Sequence, residues 1–126
     1  MKTIIITLTF ALLLNNCRSS NPFTSSALQS ATMIPAGKTF ELGGNGNGAF
    51  SAQVSNVGDV VVAVSQRQAD GQVKSLSQLK PGDQQTLTFV AGATAVFANA
   101  FAQDANLGLR VVGDTNLKMG YAKENK

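Results

Sequence analysis

The sequence predicts an all-β fold, and within that class a small antiparallel β-sandwich of seven or eight strands, with a small β-barrel as the alternative. Three observations favour this fold. From Lys38 onward, apolar residues recur mostly with a period of two. Turn-forming residues fall at intervals of about ten residues, as in sandwiches and barrels. The chain has 126 residues, 44% of them apolar and 13% charged, which suits one domain with one core.

Residues 1–16 are predicted to be a signal peptide that takes no part in the fold. Met1 and Lys2 give a positive start, and an uncharged run of twelve residues follows from Thr3 to Leu14. A bilayer-spanning helix needs about 20 apolar residues, whereas a secretory signal has an apolar region of roughly 7–15 residues behind a positive end. The run therefore fits an export signal and is too short to span a membrane.

The residues Leu14-Asn15-Asn16-Cys17 resemble a bacterial lipobox, in which a Leu three residues ahead of an obligatory Cys marks the site of lipid transfer and cleavage. The two Asn depart from the commoner small residues. The resemblance implies a lipoprotein precursor with Cys17 as the lipidation site, a palmitate-type membrane anchor, and a place in the cell envelope. In a cell with two membranes, we expect the outer membrane, with the domain in the periplasm or at the cell surface. The alternative is ordinary signal-peptidase cleavage, which leaves Cys17 as a free thiol or removes it.

The segment from residue 17 to 37 is predicted to be the lipidated Cys and a flexible tether, because it is rich in Ser, Thr and Asn and holds two Pro. Leu28 to Ile34 could instead form a first strand or a short helix packed on the domain. The sandwich domain is assigned to residues 38–122, and residues 123–126 form a polar tail.

The first half of the domain contains one clearly half-buried strand. In Ala49–Ser55, Phe50, Ala52 and Val54 share one face while polar residues share the other. The turn that follows leads into Val60–Val64, which is β-branched on both faces and predicts a central strand. Asp70-Gly71 predicts a type I′ hairpin into residues 72–77, a turn in which both central residues need positive φ.

The second half begins with Pro81-Gly82, which predicts a type II turn ahead of a strand over residues 86–89. The stretch 93–105 fits a helix as well as a strand, and its flanks favour a strand over residues 94–99. Alternation over residues 107–112 and 116–121 predicts the last strands. The inward phase of these strands assigns four aromatic residues to the core: Phe40, Phe50, Phe89 and Phe97.

The order of turns and strands over residues 56–89 is similar to that of the immunoglobulin-like modules of bacterial envelope proteins. An N-V-G-D turn, a Val-rich strand, a D-G hairpin, an L-K-P-G-D turn and an alternating strand carry the resemblance. It implies an immunoglobulin-like sandwich without naming a specific family. The Cys–Trp–Cys set of antibody domains is absent.

The composition excludes most catalytic chemistry. The chain has no His, no Trp and one Cys, so it cannot form a Ser-His-Asp triad, a Cys-His pair or an HExxH zinc helix. Five of the seven acids lie in or beside predicted turns, where Asp side chains bond the backbone. We therefore predict no enzyme, no metal site and no cofactor. The net charge of +3 is small and scattered, which makes nucleic acid an improbable partner.

Two features remain as candidate binding elements. Gly43–Phe50 resembles the calcium-binding nonapeptide of toxin-type β-rolls, but Gly48 stands where the ligating Asp belongs. The loop is predicted either to join two strands or to contact a ligand through Gly44, Asn45 and Asn47. Four cations on outward strand phases form either a solvated edge or an anion-binding patch: Arg67, Lys74, Arg110 and Lys118.

These observations predict a lipid-anchored, non-catalytic envelope protein with a structural or interaction role. The alternative is a periplasmic or surface module that captures a small ligand, an ion or a protein through the Gly43–Gly48 loop. The expected partners are the membrane, through the anchor at Cys17, and an envelope protein of unknown identity.

Overall fold

The computed structural model describes residues 27–122, which form nine strands and two antiparallel sheets. The strands are β1 (Leu28–Ile34), β2 (Thr39–Gly43), β3 (Phe50–Asn56), β4 (Val62–Arg67), β5 (Val73–Leu79), β6 (Gln84–Phe89), β7 (Thr94–Ala98), β8 (Ala105–Gly113) and β9 (Met119–Tyr121). The sandwich prediction is confirmed. The predicted signal peptide, Cys17 and the polar tail lie outside the described residues.

The strand order identifies the sandwich as a jelly roll. One sheet has the order β1-β8-β3-β6 and the other β5-β4-β7-β2-β9. The antiparallel pairs β1/β8, β2/β7, β3/β6 and β4/β5 are those of one long hairpin whose tip lies between β4 and β5. Successive pairs alternate between the two sheets, so the hairpin is rolled into two layers. β9 adds a short strand to the open edge of β2.

This connectivity differs from the predicted immunoglobulin-like one. In an immunoglobulin domain the first two strands pair within one sheet, whereas here β1 and β2 lie in different sheets. The turn and strand rhythm of residues 56–89 is common to both folds. The sheet to which a strand belongs depends on the pairs β1/β8 and β2/β7, whose strands are far apart in the sequence. The local order of turns and strands therefore does not predict it. The two open sheets also differ from the closed barrel considered as the alternative.

The core lies between the sheets and is built from alternate residues of each strand. In β3 and β4, buried and half-buried positions alternate along the whole strand. The four predicted core Phe are all buried, and the Phe50 and Phe89 rings stack with their centroids 4.9 Å apart. The strand predicted over residues 94–99 is confirmed as β7, with Phe97 fully buried.

The predicted tether is too long, because the domain begins at β1. Residues 28–34 pair with β8 from Leu28 opposite Val111 to Ile34 opposite Ala105. Ile34 is fully buried and Thr32 nearly so. This strand raises the count to nine, above the seven or eight predicted. Its alternation is weak in the sequence because Ser30 and Thr32 occupy the inward phase, where their hydroxyls bond each other at 2.8 Å.

Of the two predicted turns, the type II turn is confirmed and the type I′ turn is not. In the type II turn, Gly82 has a φ of 89° and the Asp83 N–H donates to the Lys80 carbonyl at 2.9 Å, as predicted. The type I′ prediction is wrong. Among the described residues only glycines have positive φ, and the hairpin is a three-residue loop in which Gly71 alone does. The Asp70 carboxylate instead accepts the N–H of Gln72 at 2.9 Å, so the side chain of Asp70 stabilises the loop.

A buried asparagine fastens one end of the sandwich. Asn99 is 1% exposed, and its amide nitrogen donates to the carbonyls of Ile34, Pro35 and Gln103 at 3.0, 3.3 and 2.7 Å. Its amide oxygen accepts the N–H of Phe101 at 2.9 Å. One side chain therefore joins the β1–β2 connection to the β7–β8 connection. No helix that could cross a membrane occurs in residues 27–122.

Candidate functional site

A small cleft lies on the outer face of the five-stranded sheet, where β2, β4 and β9 bring charged side chains together. Its volume is about 270 Å³, room for about nine water molecules at their liquid volume. Three glycines, three charged residues and one aromatic residue line it: Gly43, Gly44, Gly120, Glu41, Arg67, Lys118 and Tyr121. A shallow trough of about 360 Å³ over Gly108 on the other sheet contains only one charged side chain, Arg110.

An ion pair that reaches over a strand forms one wall of the cleft. β7 lies between β2 and β4, and both Glu41 and Ser65 are opposite Val96. Arg67, two residues beyond Ser65, extends across β7 and donates from its two terminal nitrogens to the two carboxylate oxygens of Glu41, each at 2.9 Å. Such a bidentate pair is directional as well as charged. The side chains of Arg67 and Glu41 are 38% and 25% exposed, so a ligand can still reach them.

The electrostatics of the cleft favour an anion. The hydrogen bonds from Arg67 lower the pKa of Glu41 against the opposing effect of burial, and the charges of Arg67 and Lys118 lower it further. The same hydrogen bonds raise the pKa of Arg67. Glu41 and Arg67 are therefore both charged at neutral pH, and the three side chains have formal charges that sum to +1. Within residues 27–122 the Lys118 ammonium makes no hydrogen bond, so its donors are available.

The glycine loop forms the next part of the cleft. Gly43 and Gly44 have φ values of 100° and 78°, which side-chain-bearing residues rarely adopt. A Cβ on Gly44 would collide with the Thr94 hydroxyl, so the loop backbone lies directly over that residue. Thr94 is consequently only 4% exposed, although it shares the outward phase of β7 with Val96. Gly44 thus lets the backbone cover the sheet and still border the cleft.

The two loop asparagines hold the backbone rather than line the cleft. The Asn47 side chain, 5% exposed, accepts the N–H of Gly44 at 2.9 Å and donates to the Gly48 carbonyl at 2.8 Å. Asn45 donates to the Asn116 carbonyl at 3.0 Å and accepts the Lys118 N–H at 3.2 Å. Of the three loop residues predicted as ligand contacts, Gly44 lines the cleft, and neither asparagine is among its lining residues.

A carboxylate does lie beside Gly48, where the calcium motif lacks its Asp. Asp114 accepts the N–H of Gly48 at 2.7 Å and that of Asn116 at 2.9 Å. These two backbone hydrogen bonds lower the pKa of Asp114. No group of three or more acidic or Cys side chains that could hold a metal ion occurs in the part of the chain that the structure describes. Asp114 fastens the loop to the segment leading into β9.

Tyr121 borders the cleft at the end of β9, but its ring lies on the other face of the sheet. In the β2/β9 register Tyr121 is opposite the buried Phe40, whereas Gly120 is opposite Glu41 on the outer face. The Tyr121 hydroxyl donates to the Met33 carbonyl at 2.6 Å, which ties β9 to β1 of the other sheet. Its ring packs edge-on against Phe40 with the centroids 5.9 Å apart. Tyr121 therefore fixes the position of β9, and with it Gly120, at the edge of the cleft.

The sequence identified only part of this site. Arg67 and Lys118 meet in the cleft, whereas Lys74 lies on β5 outside it and Arg110 lies on β8 of the other sheet. The predicted four-cation patch is therefore divided. Glu41, Gly120 and Tyr121 were missed. Glu41 lies within a strand rather than in a turn, and Tyr121 is the one Tyr of the chain. Neither belongs to a sequence motif that would mark it as a site residue.

Comparison with known proteins assigns no family to the chain. No protein-family model matches the chain, and no curated protein matches it in sequence. The chain has a weak structural similarity to the crystal structure of the Yersinia pseudotuberculosis-derived mitogen. The alignment covers 75% of this chain and 95% of the mitogen chain, with 11% sequence identity and a TM-score of 0.45. At this level of similarity nothing about function or site residues transfers.

Proposed function

We propose that the protein is a lipid-anchored, non-catalytic component of a bacterial cell envelope, whose jelly-roll domain is an interaction module. The observation that carries the anchoring is Leu14-Asn15-Asn16-Cys17 behind a short apolar run. Two or three acyl chains hold a protein on a membrane stably, whereas one chain does so only marginally. The absence of His from the sequence supports a non-catalytic role.

The distance from the anchor to the domain supports presentation close to the membrane. Ten residues separate Cys17 from Leu28, the first residue of β1. Fully extended, they span at most about 35 Å. The domain then stays within roughly one domain diameter of the bilayer, where it meets other envelope components.

Metabolic labelling with a fatty acid tests the anchor. We expect label in the wild type and none in Cys17→Ala, because this is the one thiol in the chain. Ser19→Ala, two residues away, is the matched control and should be labelled like the wild type. Equal labelling of Cys17→Ala and wild type would refute the anchor.

The second candidate function is capture of a small ligand in the cleft bordered by the Gly43–Gly48 loop. The observation that favours it is the convergence of Glu41, Arg67 and Lys118 on a cleft that the loop glycines leave open. In this arrangement Asn45 and Asn47 position the cleft, and Gly43 and Gly44 border it.

A fragment screen by saturation-transfer NMR tests this second function. A Cβ on Gly120 would meet nothing within 4 Å, so Gly120→Val places a side chain at the cleft without a clash at its Cβ. The matched control is Gly108→Val, which fills the trough on the other sheet. We expect a class of fragments whose binding is lost in Gly120→Val and retained in Gly108→Val. If no fragment behaves in this way, the cleft is not a ligand site.

A further inference from the structure

We propose that the cleft binds a single acidic sugar unit, a hydroxyl-rich molecule that carries one carboxylate. The inference rests on the second proposed function, capture of a small ligand in this cleft. Three properties of the cleft, taken in turn below, select this ligand: a surplus positive charge, a carboxylate that accepts from hydroxyls, and bare glycine backbone around a space the size of one sugar ring.

The surplus cation selects the carboxylate of the ligand. A guanidinium has five N–H groups, of which Arg67 gives two to Glu41. Its three remaining N–H groups and the ammonium of Lys118, which makes no hydrogen bond within residues 27–122, both border the cleft and can bind an anion there. A carboxylate placed between them completes an alternating arrangement of two cations and two anions. Charge-assisted hydrogen bonds of this kind are the strong ones.

Glu41 selects against a simple oxyanion and in favour of hydroxyls. Each of its oxygens accepts one hydrogen bond from Arg67 and keeps further acceptor capacity. Its negative charge repels a small polyanion such as phosphate at close range. A ligand with O–H donors next to its carboxylate satisfies Glu41 and the cations together. Sugars that carry a carboxylate have this combination.

The glycines and the size of the cleft suit the ring of one sugar. Gly43, Gly44 and Gly120 present backbone without side chains. A cleft of about 270 Å³ accommodates one sugar ring and not an oligosaccharide buried along its length.

The test is a titration followed by NMR of backbone amides, using the processed chain with Cys17→Ala and two probes, D-glucuronate and D-glucose. These sugars differ only in a carboxylate replacing the terminal hydroxymethyl group. We expect D-glucuronate to shift the amides of Gly43, Gly44, Lys118 and Gly120, with a Kd of about 1 mM for a ligand of this size. D-Glucose should bind at least about tenfold more weakly.

Two Lys variants distinguish the local contact from net charge. Lys118→Met should weaken D-glucuronate binding by about tenfold or more, because it removes a donor to the carboxylate. Lys74→Met removes the same charge from the same sheet, outside the cleft, and should leave the Kd within about twofold of the wild type, because solvent screens distant charges. Circular dichroism of both variants checks that they fold.

Four outcomes would overturn the inference. They are equal binding of D-glucose and D-glucuronate, equal effects of Lys118→Met and Lys74→Met, binding of inorganic phosphate as tight as that of D-glucuronate, and amide shifts confined to the trough over Gly108. If fragments sensitive to Gly120→Val still bind, the acidic-sugar inference fails while the cleft stays a ligand site. The fatty-acid labelling of Cys17 is independent of all these results.

Discussion

Replacement of Gly44 by Ala tests how closely the glycine loop lies over the sheet. Two separate costs apply at this position. Gly44 has a φ of 78°, and an Ala in the left-handed region costs about 1–2 kcal/mol. The new Cβ would also collide with the Thr94 hydroxyl, and overpacking of this kind costs about 1–3 kcal/mol. The expected loss in the free energy of unfolding is therefore about 2–5 kcal/mol.

Gly46→Ala provides the matched control in the same loop. Gly46 has a φ of 72°, and a Cβ there would meet nothing within 4 Å. It carries the conformational cost alone, so we expect a loss of about 1–2 kcal/mol. The difference between the two variants isolates the contact with Thr94. The double variant Gly44→Ala with Thr94→Ala removes the colliding hydroxyl and should recover most of that difference.

The assay is urea unfolding followed by far-UV circular dichroism, which reads the β-sheet directly and does not need the single Tyr. A midpoint shift at constant slope reports a change in stability. Equal midpoints for Gly44→Ala and Gly46→Ala would refute the close contact of the loop with the sheet. So would a double variant no more stable than Gly44→Ala.

Three further predictions concern the fastening of the sandwich and the ion pair. Asn99→Ala should cost about 2–4 kcal/mol in urea unfolding, because it leaves buried backbone groups without partners. The exposed Asn45→Ala should cost under about 1 kcal/mol, and equal losses would contradict the bracing role of Asn99. Glu41→Gln should cost about 1 kcal/mol at pH 7. Because its folded pKa is lowered, the stability that ionised Glu41 contributes is complete above its unfolded pKa of about 4.3 and is lost as the pH falls through the folded value. The gap between wild type and Glu41→Gln should therefore narrow as the pH falls below about 4.3, and a constant gap from pH 7 to pH 3 would show that ionisation is not its source. Tyr121→Phe loses only the hydroxyl bond to Met33 and should cost about 1 kcal/mol in thermal unfolding. Tyr121→Ala also loses the ring packing on Phe40 and should cost more, and equal losses would contradict that packing.

The local sequence pattern was sufficient to predict most of the strands, but it was not sufficient to predict how they are arranged in the two sheets. Alternation in residues 50–54 located β3, and the inward phase assigned the four core Phe correctly. β1 was weakly marked because hydroxyl side chains occupy two of its inward positions. The jelly-roll order follows from pairs such as Leu28 with Val111, more than eighty residues apart in the chain. No local period carries that information.

The candidate site, like the fold, could be predicted only in part from the local sequence pattern. The glycines of the loop were visible in the sequence because positive φ requires them. The Glu41–Arg67 pair was not, because it exists only when β2 and β4 flank the same strand, β7. Likewise, Gly120 reaches the cleft through the pairing of β9 with β2, at the edge of the sheet. A ligand site assembled from three distant segments needs the sheet order before it can be identified.

The crystal structure of the processed chain grown with D-glucuronate tests the central claim most directly, namely that the cleft between Arg67, Lys118 and Gly120 is a preformed site for an acidic sugar. We predict the sugar carboxylate within hydrogen-bond distance of Lys118 and Arg67, a hydroxyl on Glu41, and the ring over Gly120, with the Glu41–Arg67 pair unbroken. A sugar bound elsewhere, or a carboxylate that displaces Glu41 from Arg67, would contradict the account.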